Sequence, residues 1–348
     1  MSVVYIGCRT TKERGGQGKG ISVYRTLQDG TWELIQIQEQ INPSFLCLDR
    51  TGKYLYAIHG DHSEITSYAI CEQGKLMTLN TVSTGGTNPV HLSVDRTNRW
   101  IFVANLQTGS VAVLPRRTDG TLGDLKHLYF IAGNGGPGYI SHPHQVQQDP
   151  SGDYLIVSAQ GRLQGVGQVV VFHIDHDTGA LTQVHSVRAR TGAEPRHCVF
   201  DASGTRCYGA NEKSYTVTQY EFTGGQLKPL RIVQTLFEEQ IDEGWSSGIA
   251  IHPNGRFLYV SDRKQNMVSC FLNDGESGAP KLMSTTKTMG GQPRFIEVSP
   301  DGKSLVAANE LGHSIYEFPI DQGNGSLGPG VLRAETGSPV CVIWGKDM

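Results

Sequence analysis

The sequence predicts an all-β fold, a seven-bladed β-propeller with four-stranded blades. Two observations carry this prediction. A hairpin unit recurs along the 348 residues at a spacing typical of propeller blades, and the composition, with 43 Gly, 15 Pro and only 18% charged residues, indicates many short strands and tight turns. Neither a composition break nor a linker separates the repeats. Residues 1–348 are therefore predicted to form one domain.

The repeating unit begins with a proline, continues as an alternating strand, turns at a Gly-containing segment and ends with a hydrophobic strand. Its six copies are NPSFLCLDRTGKYLYAIH (42–59), NPVHLSVDRTNRWIFVAN (88–105), HPHQVQQDPSGDYLIVSA (142–159), EPRHCVFDASGTRCYGAN (194–211), SSGIAIHPNGRFLYVSD (246–262) and QPRFIEVSPDGKSLVAAN (292–309). The aligned prolines are separated by 46, 54, 52 and 98 residues, and Ser247 is predicted to replace the one missing from the double interval. Each copy is interpreted as the inner hairpin of a blade.

The two ends of the chain supply the seventh blade. Seven turn segments precede a fourth strand, whereas only six complete hairpins are present. SPVCVIWG (338–345) has the pattern of a first strand, and VVYIGCRT and GISVYRT have those of a second and a third. Joining both ends in one blade removes the unpaired edges at the seam, so the ring is predicted to close in this way.

Charge and cysteine usage limit the possible partners and compartments. The formal net charge is −3, so neither nucleic acid nor a membrane surface is predicted as a partner. The seven cysteines are odd in number and form no CxxC pair, which argues against a disulfide framework or a zinc site and favours the cytoplasm. No apolar run approaches the roughly 18 residues of a membrane helix. The sequence does not indicate the number of subunits.

Charged and imidazole side chains occupy equivalent positions in several units. The start of a first strand lies beside the end of the second, so both positions are predicted to open onto one mouth of the central channel. The residues at these positions are His142, His144, Arg196, His197, Asn211, Glu212, Asp262, Arg263, Arg294, Asn309 and Glu310. Folding of a strand does not require charge there. The pattern therefore indicates a binding site.

The residue types at this mouth indicate an anionic ligand and a proton carrier. Arginine binds a carboxylate or phosphate through two parallel hydrogen bonds, so Arg196, Arg263 and Arg294 are predicted to hold a small anionic substrate. The same prediction extends to His142, His197 and Glu310. His144 is the candidate acid or base and Glu212 its carboxylate partner.

Structural interpretations of these residues remain open. Arg196 and Arg294 could form buried ion pairs with Glu212 and Glu310, and His144 could bond only a backbone carbonyl. His142 and His144 have no evident third metal ligand, so no metal is predicted. Three aromatic side chains are predicted to pack between blades, namely Tyr139, Trp245 and Phe295.

Several segments resemble the propeller-type lactonase family, which includes bacterial 6-phosphogluconolactonase of the propeller kind and the fungal 3-carboxy-cis,cis-muconate lactonizing enzyme. They are HPHQ, EPRH, NE, SDR, QPRF, YIGCRT and GKGISVY. The resemblance covers essentially the whole chain. It implies that His144, Arg196 and Glu212 are catalytic and that Arg263 and Arg294 bind substrate.

The chain departs from the family pattern at two places near the mouth. Relatives carry an Asp-rich segment where this chain has Ser158-Ala159-Gln160-Gly161-Arg162, and Gly-His where it has Lys264-Gln265. Three functions are therefore considered. The first is hydrolysis of an anionic lactone, the second a carboxymuconate cyclase or isomerase reaction, and the third a non-enzymatic binding scaffold. The two reactions need an anion clamp and a proton carrier, and neither is predicted to need a cofactor.

Overall fold

The computed structural model describes residues 2–133, 136, 138–162, 165–240, 244–273 and 278–345. In these residues the chain forms seven antiparallel sheets of four strands each, arranged as blades around a central channel. The described residues also include three short 3-10 helices in the connections, Lys12–Arg14, Glu72–Gly74 and Glu238–Gln240. The prediction of an all-β propeller with seven four-stranded blades is confirmed. Within the described ranges, no helix is long and apolar enough to cross a membrane.

Blades 1 to 6 follow the chain, and blade 7 contains both of its ends. The strands of the first half are β1 (Val3–Cys8), β2 (Gly20–Thr26) and β3 (Trp32–Glu39) in blade 7; β4 (Pro43–Leu48), β5 (Tyr54–His59), β6 (Glu64–Ile70) and β7 (Leu76–Ser83) in blade 1; β8 (Pro89–Val94), β9 (Trp100–Asn105), β10 (Ser110–Pro115) and β11 (His127–Phe130) in blade 2; and β12 (His142–Gln148), β13 (Tyr154–Gln160), β14 (Gln168–Ile174) and β15 (Leu181–Arg188) in blade 3.

The strands of the second half are β16 (Pro195–Phe200), β17 (Arg206–Asn211), β18 (Thr216–Thr223) and β19 (Gln226–Gln234) in blade 4; β20 (Ser246–Ile251), β21 (Phe257–Asp262), β22 (Met267–Leu272) and β23 (Lys281–Lys287) in blade 5; β24 (Pro293–Val298), β25 (Ser304–Asn309), β26 (Ser314–Pro319) and β27 (Val331–Glu335) in blade 6; and β28 (Pro339–Trp344) in blade 7.

The ring closes where β28 pairs with β1. The order in blade 7 is β28-β1-β2-β3, and the register pairs Val4 with Trp344 and Gly7 with Cys341. The last strand of the chain is thus the innermost strand of blade 7, and the three N-terminal strands form the rest of that blade. The predicted closure is confirmed, and it leaves the inner strands of all seven blades paired.

The inner hairpins turn through an Asp-centred motif. In blade 1 the Asp49 carboxylate accepts hydrogen bonds from the backbone N–H groups of Lys53 and Tyr54 at 2.9 and 3.1 Å. Gly52 adopts a left-handed conformation, with φ of 74°, which glycine accepts without strain. Asp followed three residues later by Gly or Asn recurs in other blades, which explains the repeated turn signal in the sequence.

A β-bulge near the start of each first strand turns one extra side chain toward the channel. Pro195 pairs with Asn211 and His197 with Ala210, so Arg196 is the extra residue in blade 4. The corresponding residues, here called the bulge ring, are in blade order Ser44, Val90, His144, Arg196, Ser247, Arg294 and Val340. The prediction that Ser247 replaces the missing proline was wrong. Ser246 pairs with Asp262 as Pro195 pairs with Asn211, so Ser246 holds the proline position.

A second ring lies at the channel mouth, where each second strand ends. In blade 4 the N–H of Glu212 donates to the carbonyl of Glu194, just before the first strand, at 2.8 Å. The same bond joins Arg263 to Trp245 at 2.9 Å and Glu310 to Gln292 at 3.0 Å. The seven equivalent residues, here called the rim ring, are in blade order Gly60, Leu106, Gln160, Glu212, Arg263, Glu310 and Arg9. Fixed backbone bonds therefore hold these side chains around one opening.

Candidate active site

A cavity of about 790 Å³ opens at the channel mouth between the two rings. Its walls include Arg9, His144, Glu212, Arg263 and Arg294. A narrow extension continues down the axis to the bulge-ring arginine of blade 4, Arg196. The predicted convergence of both strand positions on one mouth is therefore observed, although the roles of the individual residues remain predictions.

Glu212 is the centre of the first group of charges. One carboxylate oxygen, Oε1, accepts a hydrogen bond from Trp245 Nε1 at 2.8 Å and lies 3.3 Å from Arg263 Nη2. The other, Oε2, accepts from Gln160 Nε2 at 2.9 Å and lies 3.4 Å from Arg196 Nε. Burial disfavours the charge, but Arg263 and Arg196 outweigh it and lower the pKa of Glu212. Glu212 is therefore an ionised carboxylate and a weak base.

The two arginines of this group are buried and remain cationic. Arg196 Nη1 donates to the Ser247 carbonyl at 2.8 Å, and the Arg263 guanidinium stacks 3.8 Å from the centre of the Trp245 ring. Burial lowers the pKa of Arg263 to about 10, which is still well above neutrality. Within the described residues, the Nε–H of Arg263 has no hydrogen-bond acceptor, and that of Arg196 makes only the 3.4 Å ion-pair contact with Glu212. Buried donors in this state favour an anionic or carbonyl ligand.

His144 is a neutral imidazole beside these cations. It is almost completely buried, and its Nδ1 has no hydrogen-bond partner among the described residues. Burial and the charge of Arg196 lower the pKa of His144, while Glu212 partly opposes them. The imidazole is therefore neutral at neutral pH, and its unpartnered Nδ1 can accept a hydrogen bond or a proton from a ligand or a water molecule.

Two further imidazoles lie next to His144. The His197 ring centre is 5.2 Å from that of His144 and 5.5 Å from that of His91. Burial and Arg196 lower the pKa of His91 to about 3, and the same causes lower that of His197. Arg196 Nη1 lies 3.4 Å from His197 Nδ1 and can only donate, so the ring proton of His197 is on Nε2. His197 therefore offers a buried donor at the base of the cavity.

His142 differs from its neighbour. Its Nδ1 donates a hydrogen bond to the Leu106 carbonyl at 2.8 Å. A bond of this kind to a backbone carbonyl was the structural interpretation left open for His144, and it is found at His142 instead. The bulge lies between Pro143 and Gln145, so His142 stays in the ladder opposite Gln160 while His144 turns toward the axis. His142 still borders the cavity.

A second group of charges lies around Glu310. Its Oε1 is 3.3 Å from Arg9 Nε and its Oε2 is 3.6 Å from Arg294 Nη1. Arg9 also donates from Nη1 to Asp61 at 3.3 Å. Both glutamate–arginine pairs that the sequence suggested are thus present, and both border the cavity.

Sequence reasoning missed three residues of this site: Arg9, Lys213 and Trp245. Trp245 was predicted to pack between blades, and this was wrong because its ring contacts Arg263 and Lys213 and its N–H reaches Glu212. Tyr139, predicted to do the same, is 44% exposed. Phe295 is buried and its ring lies 5.9 Å from that of Phe45. Aligning VVYIGCR with the other second strands would have placed Arg9 in the rim ring.

Within the described ranges, no group of three or more His, Cys, Asp or Glu side chains is arranged to hold a metal ion. The predictions that the site uses neither a metal nor a cofactor remain predictions.

The seven-bladed ring and its axial cavity define a β-propeller that binds a small substrate. More narrowly, the chain belongs to the family described as "Lactonase, 7-bladed beta-propeller", whose model matches residues 3–344. The activity of this class is lactone hydrolysis, the cleavage of a cyclic carboxylic ester.

Individual relatives agree with this assignment. The chain is 29% identical to a 6-phosphogluconolactonase of Formosa agariphila, over 93% of this chain and 94% of that protein. It is 27% identical to the 6-phosphogluconolactonase of Bacillus subtilis, over 86% of each chain. Among solved structures, the periplasmic gluconolactonase of Pseudomonas aeruginosa superposes with a TM-score of 0.88 at 26% identity, over 99% of this chain and 98% of that one.

Proposed function

We propose that this protein hydrolyses a phosphorylated sugar lactone of the 6-phosphogluconolactone type at the channel mouth. One observation carries the proposal: a buried neutral imidazole, that of His144, lies beside buried arginine cations at the wall of a cavity large enough for a sugar. A base and a set of cationic donors are the two requirements of lactone hydrolysis without a covalent intermediate. The names of the relatives support the sugar phosphate as the substrate class.

In the proposed reaction, His144 takes a proton from water while the water oxygen bonds to the lactone carbonyl carbon. The carbonyl electron pair moves to its oxygen, and the unpaired Nε–H of Arg263 together with the buried positive charge of Arg196 stabilises the charge that develops there. The tetrahedral intermediate then collapses, the bond to the ring oxygen breaks, and the protonated His144 returns its proton to that oxygen. Atoms and charge balance with water as the only co-reactant.

Glu212 has a positioning role in this scheme. Four donors surround its two oxygens, so it is a poor proton acceptor, and its charge holds the Arg196 and Arg263 guanidinium groups in place. Gln160 supplies one of these donors, and it lies in the segment where this chain departs from the Asp-rich pattern of the family. The other predicted substrate-binding residues, His142, His197, Arg294 and Glu310, are proposed to contact the hydroxyl groups and the anion of the substrate.

The test is a panel of lactones. With 6-phosphogluconolactone, glucono-1,5-lactone and a muconolactone, we expect acid release above the spontaneous rate, fastest on the phosphorylated sugar. Heat-inactivated protein corrects for the spontaneous opening of each ring. If none of the lactones is hydrolysed, cyclisation of a carboxymuconate is assayed next. Lactone formation there would replace the proposal by the cyclase reaction, and no turnover in either assay would support the scaffold interpretation.

The pH dependence should report the lowered pKa of His144. The imidazole works when neutral, and because its pKa is below 6.5, activity is lost only when the pH falls through that lower value. We expect kcat/KM at pH 5.5 to retain a clearly larger fraction of its plateau than the roughly one tenth that an unperturbed imidazole would retain. Glucono-1,5-lactone is the better substrate for this profile because a phosphate ionises near pH 6. A half-maximal rate at pH 6.5 or above would exclude His144 as the buried base.

Two further proposals concern the whole chain. We propose that residues 1–348 form a single domain, because the first strand of each blade contacts that of the next around the whole ring. Met1 and residues 346–348 lie outside the described residues. We propose a cytoplasmic location, since the seven cysteines are all free thiols in the described structure. No nucleic-acid or membrane partner is proposed, and the number of subunits stays open.

A further inference from the structure

The group of charges around Glu212 has a counterpart two blades further around the channel. The Glu212 cluster consists of Glu212 in the rim ring of blade 4, Arg196 in the bulge ring of the same blade and Arg263 in the rim ring of the next blade. The Glu310 cluster consists of Glu310 in the rim ring of blade 6, Arg294 in its bulge ring and Arg9 in the rim ring of blade 7. The same three positions thus carry the same three residue types.

The duplication follows the symmetry of the propeller. Arg294 and Glu310 each stand 98 residues after Arg196 and Glu212, and the segments PRH…ANE and PRF…ANE repeat accordingly. The fold does not require these charges, since blades 1 and 2 have Ser44 and Val90 in the bulge ring and Gly60 and Leu106 in the rim ring. Two charged clusters facing one cavity therefore indicate a ligand with two groups to bind.

The two clusters differ in the residue that could carry a proton. His144 is the bulge-ring residue one blade before the Glu212 cluster. The equivalent residue before the Glu310 cluster is Ser247, whose hydroxyl donates to the Arg294 carbonyl at 2.7 Å. The Glu310 cluster therefore lacks the imidazole that the proposed hydrolysis needs. Its residues are expected to bind the substrate without taking part in proton transfer.

Arg294 of the Glu310 cluster is more available for a ligand than the arginines of the Glu212 cluster. The Glu212 carboxylate accepts hydrogen bonds from Trp245 and Gln160, whereas within the described residues Glu310 accepts none. The Arg294 side chain is 21% exposed, and apart from its ion pair with Glu310 its guanidinium has no hydrogen bond in the described structure. Asp61 pairs with both Arg9 and Arg14. The positive charges of Arg9, Arg14 and Arg294 therefore outnumber the two carboxylates, Asp61 and Glu310.

We propose that Arg9 and Arg294 form an anion subsite that binds the phosphate of the substrate, while His144 and the Glu212 cluster act on its lactone carbonyl. This inference rests on the proposed function for the identity of the second group. It assigns Arg9, a residue at the far end of the chain from the other site residues, to substrate binding. It also predicts preference for a ligand with two acceptor groups over one with a single group.

The test compares binding of 6-phosphogluconate and gluconate, the hydrolysis products, by isothermal titration calorimetry. We expect the wild type to bind the phosphorylated acid at least about 10-fold more tightly. Arg9→Met and Arg294→Met should each remove most of this preference while weakening gluconate much less. Arg9→Lys and Arg294→Lys, which keep the charge, should restore part of it. Arg99→Met is the matched control, because Arg99 pairs with Asp177 and does not border the cavity.

The outcomes separate this inference from the proposed function. Equal losses for both acids in the Met variants, or no loss in either variant, would overturn the phosphate subsite even if the lactone panel shows hydrolysis. A selective loss of 6-phosphogluconate binding would support the subsite even if no lactone is turned over. If a Met variant unfolds, Arg294→Gln decides, because this side chain is partly exposed. A selective loss of 6-phosphogluconate binding then supports the subsite, and unchanged binding of both acids contradicts it.

Discussion

Replacing His144 by Asn should lower kcat by about 10²- to 10⁴-fold, the range expected for loss of a general base. Asparagine is polar and of similar size, so it can occupy the bulge position, but its amide cannot take up a proton from water. Because His144 Nδ1 has no hydrogen-bond partner among the described residues, its replacement removes no internal bond at that atom. The loss should therefore appear in kcat, with a smaller change in KM, in single-substrate kinetics on the lactone that the panel identifies.

The control for this variant is His173→Asn. His173 lies on β14, is exposed and contacts the Tyr154 ring at 5.7 Å, outside the cavity. Its replacement should leave kcat unchanged. Near wild-type kcat in a folded His144→Asn protein would show that another group activates the water. The mechanism would then need a different base, although the lactonase assignment would stand.

Replacing Glu212 by Gln should reduce kcat/KM by about 100-fold or more and also destabilise the protein. Donors face both carboxylate oxygens, Trp245 and Arg263 at Oε1 and Gln160 and Arg196 at Oε2. An amide has only one oxygen, so its NH₂ group would point at two donors. Two buried arginines would also lose their counter-charge, which costs about 3 to 5 kcal/mol when one partner of a buried pair is removed. Displacement of the guanidinium groups by about 1 Å would account for the kinetic loss.

The matched control is Glu317→Gln. Glu317 also pairs with an arginine, Arg333, with 2.6 Å between Oε2 and Nε, but this pair lies away from the channel mouth. Thermal unfolding should show a lower melting temperature for both variants, and only Glu212→Gln should lose activity per folded molecule. If Glu212→Gln is destabilised but keeps its kcat/KM, Glu212 has a structural role alone and the arginines do not depend on it for position.

The fold was predictable because its determinants are local and repeated. Six units repeat an alternating strand, a turn and a hydrophobic strand, and they reinforce one another. Five of them begin with a proline, and four have an Asp-x-x-Gly or Asp-x-x-Asn turn. The seam was predictable from counting strands, since an incomplete set at each end pairs only with the other. The one local error, the assignment of Ser247, arose where blade 5 has no proline to mark the start of its strand.

The candidate site was predictable only in part. Equivalent positions in the repeats placed Arg196, Glu212, Arg263, Arg294 and Glu310 at one mouth because the backbone pattern of the blade is the same each time. The difference between His142 and His144 was not predicted, because an alternating strand pattern does not show the register shift that separates them. The position of Trp245 was also not predicted, because it is set by contacts with Glu212 and Arg263, which lie in two other segments of the chain.

By itself, the sequence determined the all-β propeller, its seven blades, the closing blade and the strand positions that face the channel. These properties depend on periodicity and on hydrogen bonds within one blade. Only the tertiary structure decided which charges meet between neighbouring blades, because ring closure brings Arg9, near the start of the chain, against Glu310, near its end. It also decided the protonation of the site, since the pKa values of His144 and Glu212 depend on burial and on arginines from other strands.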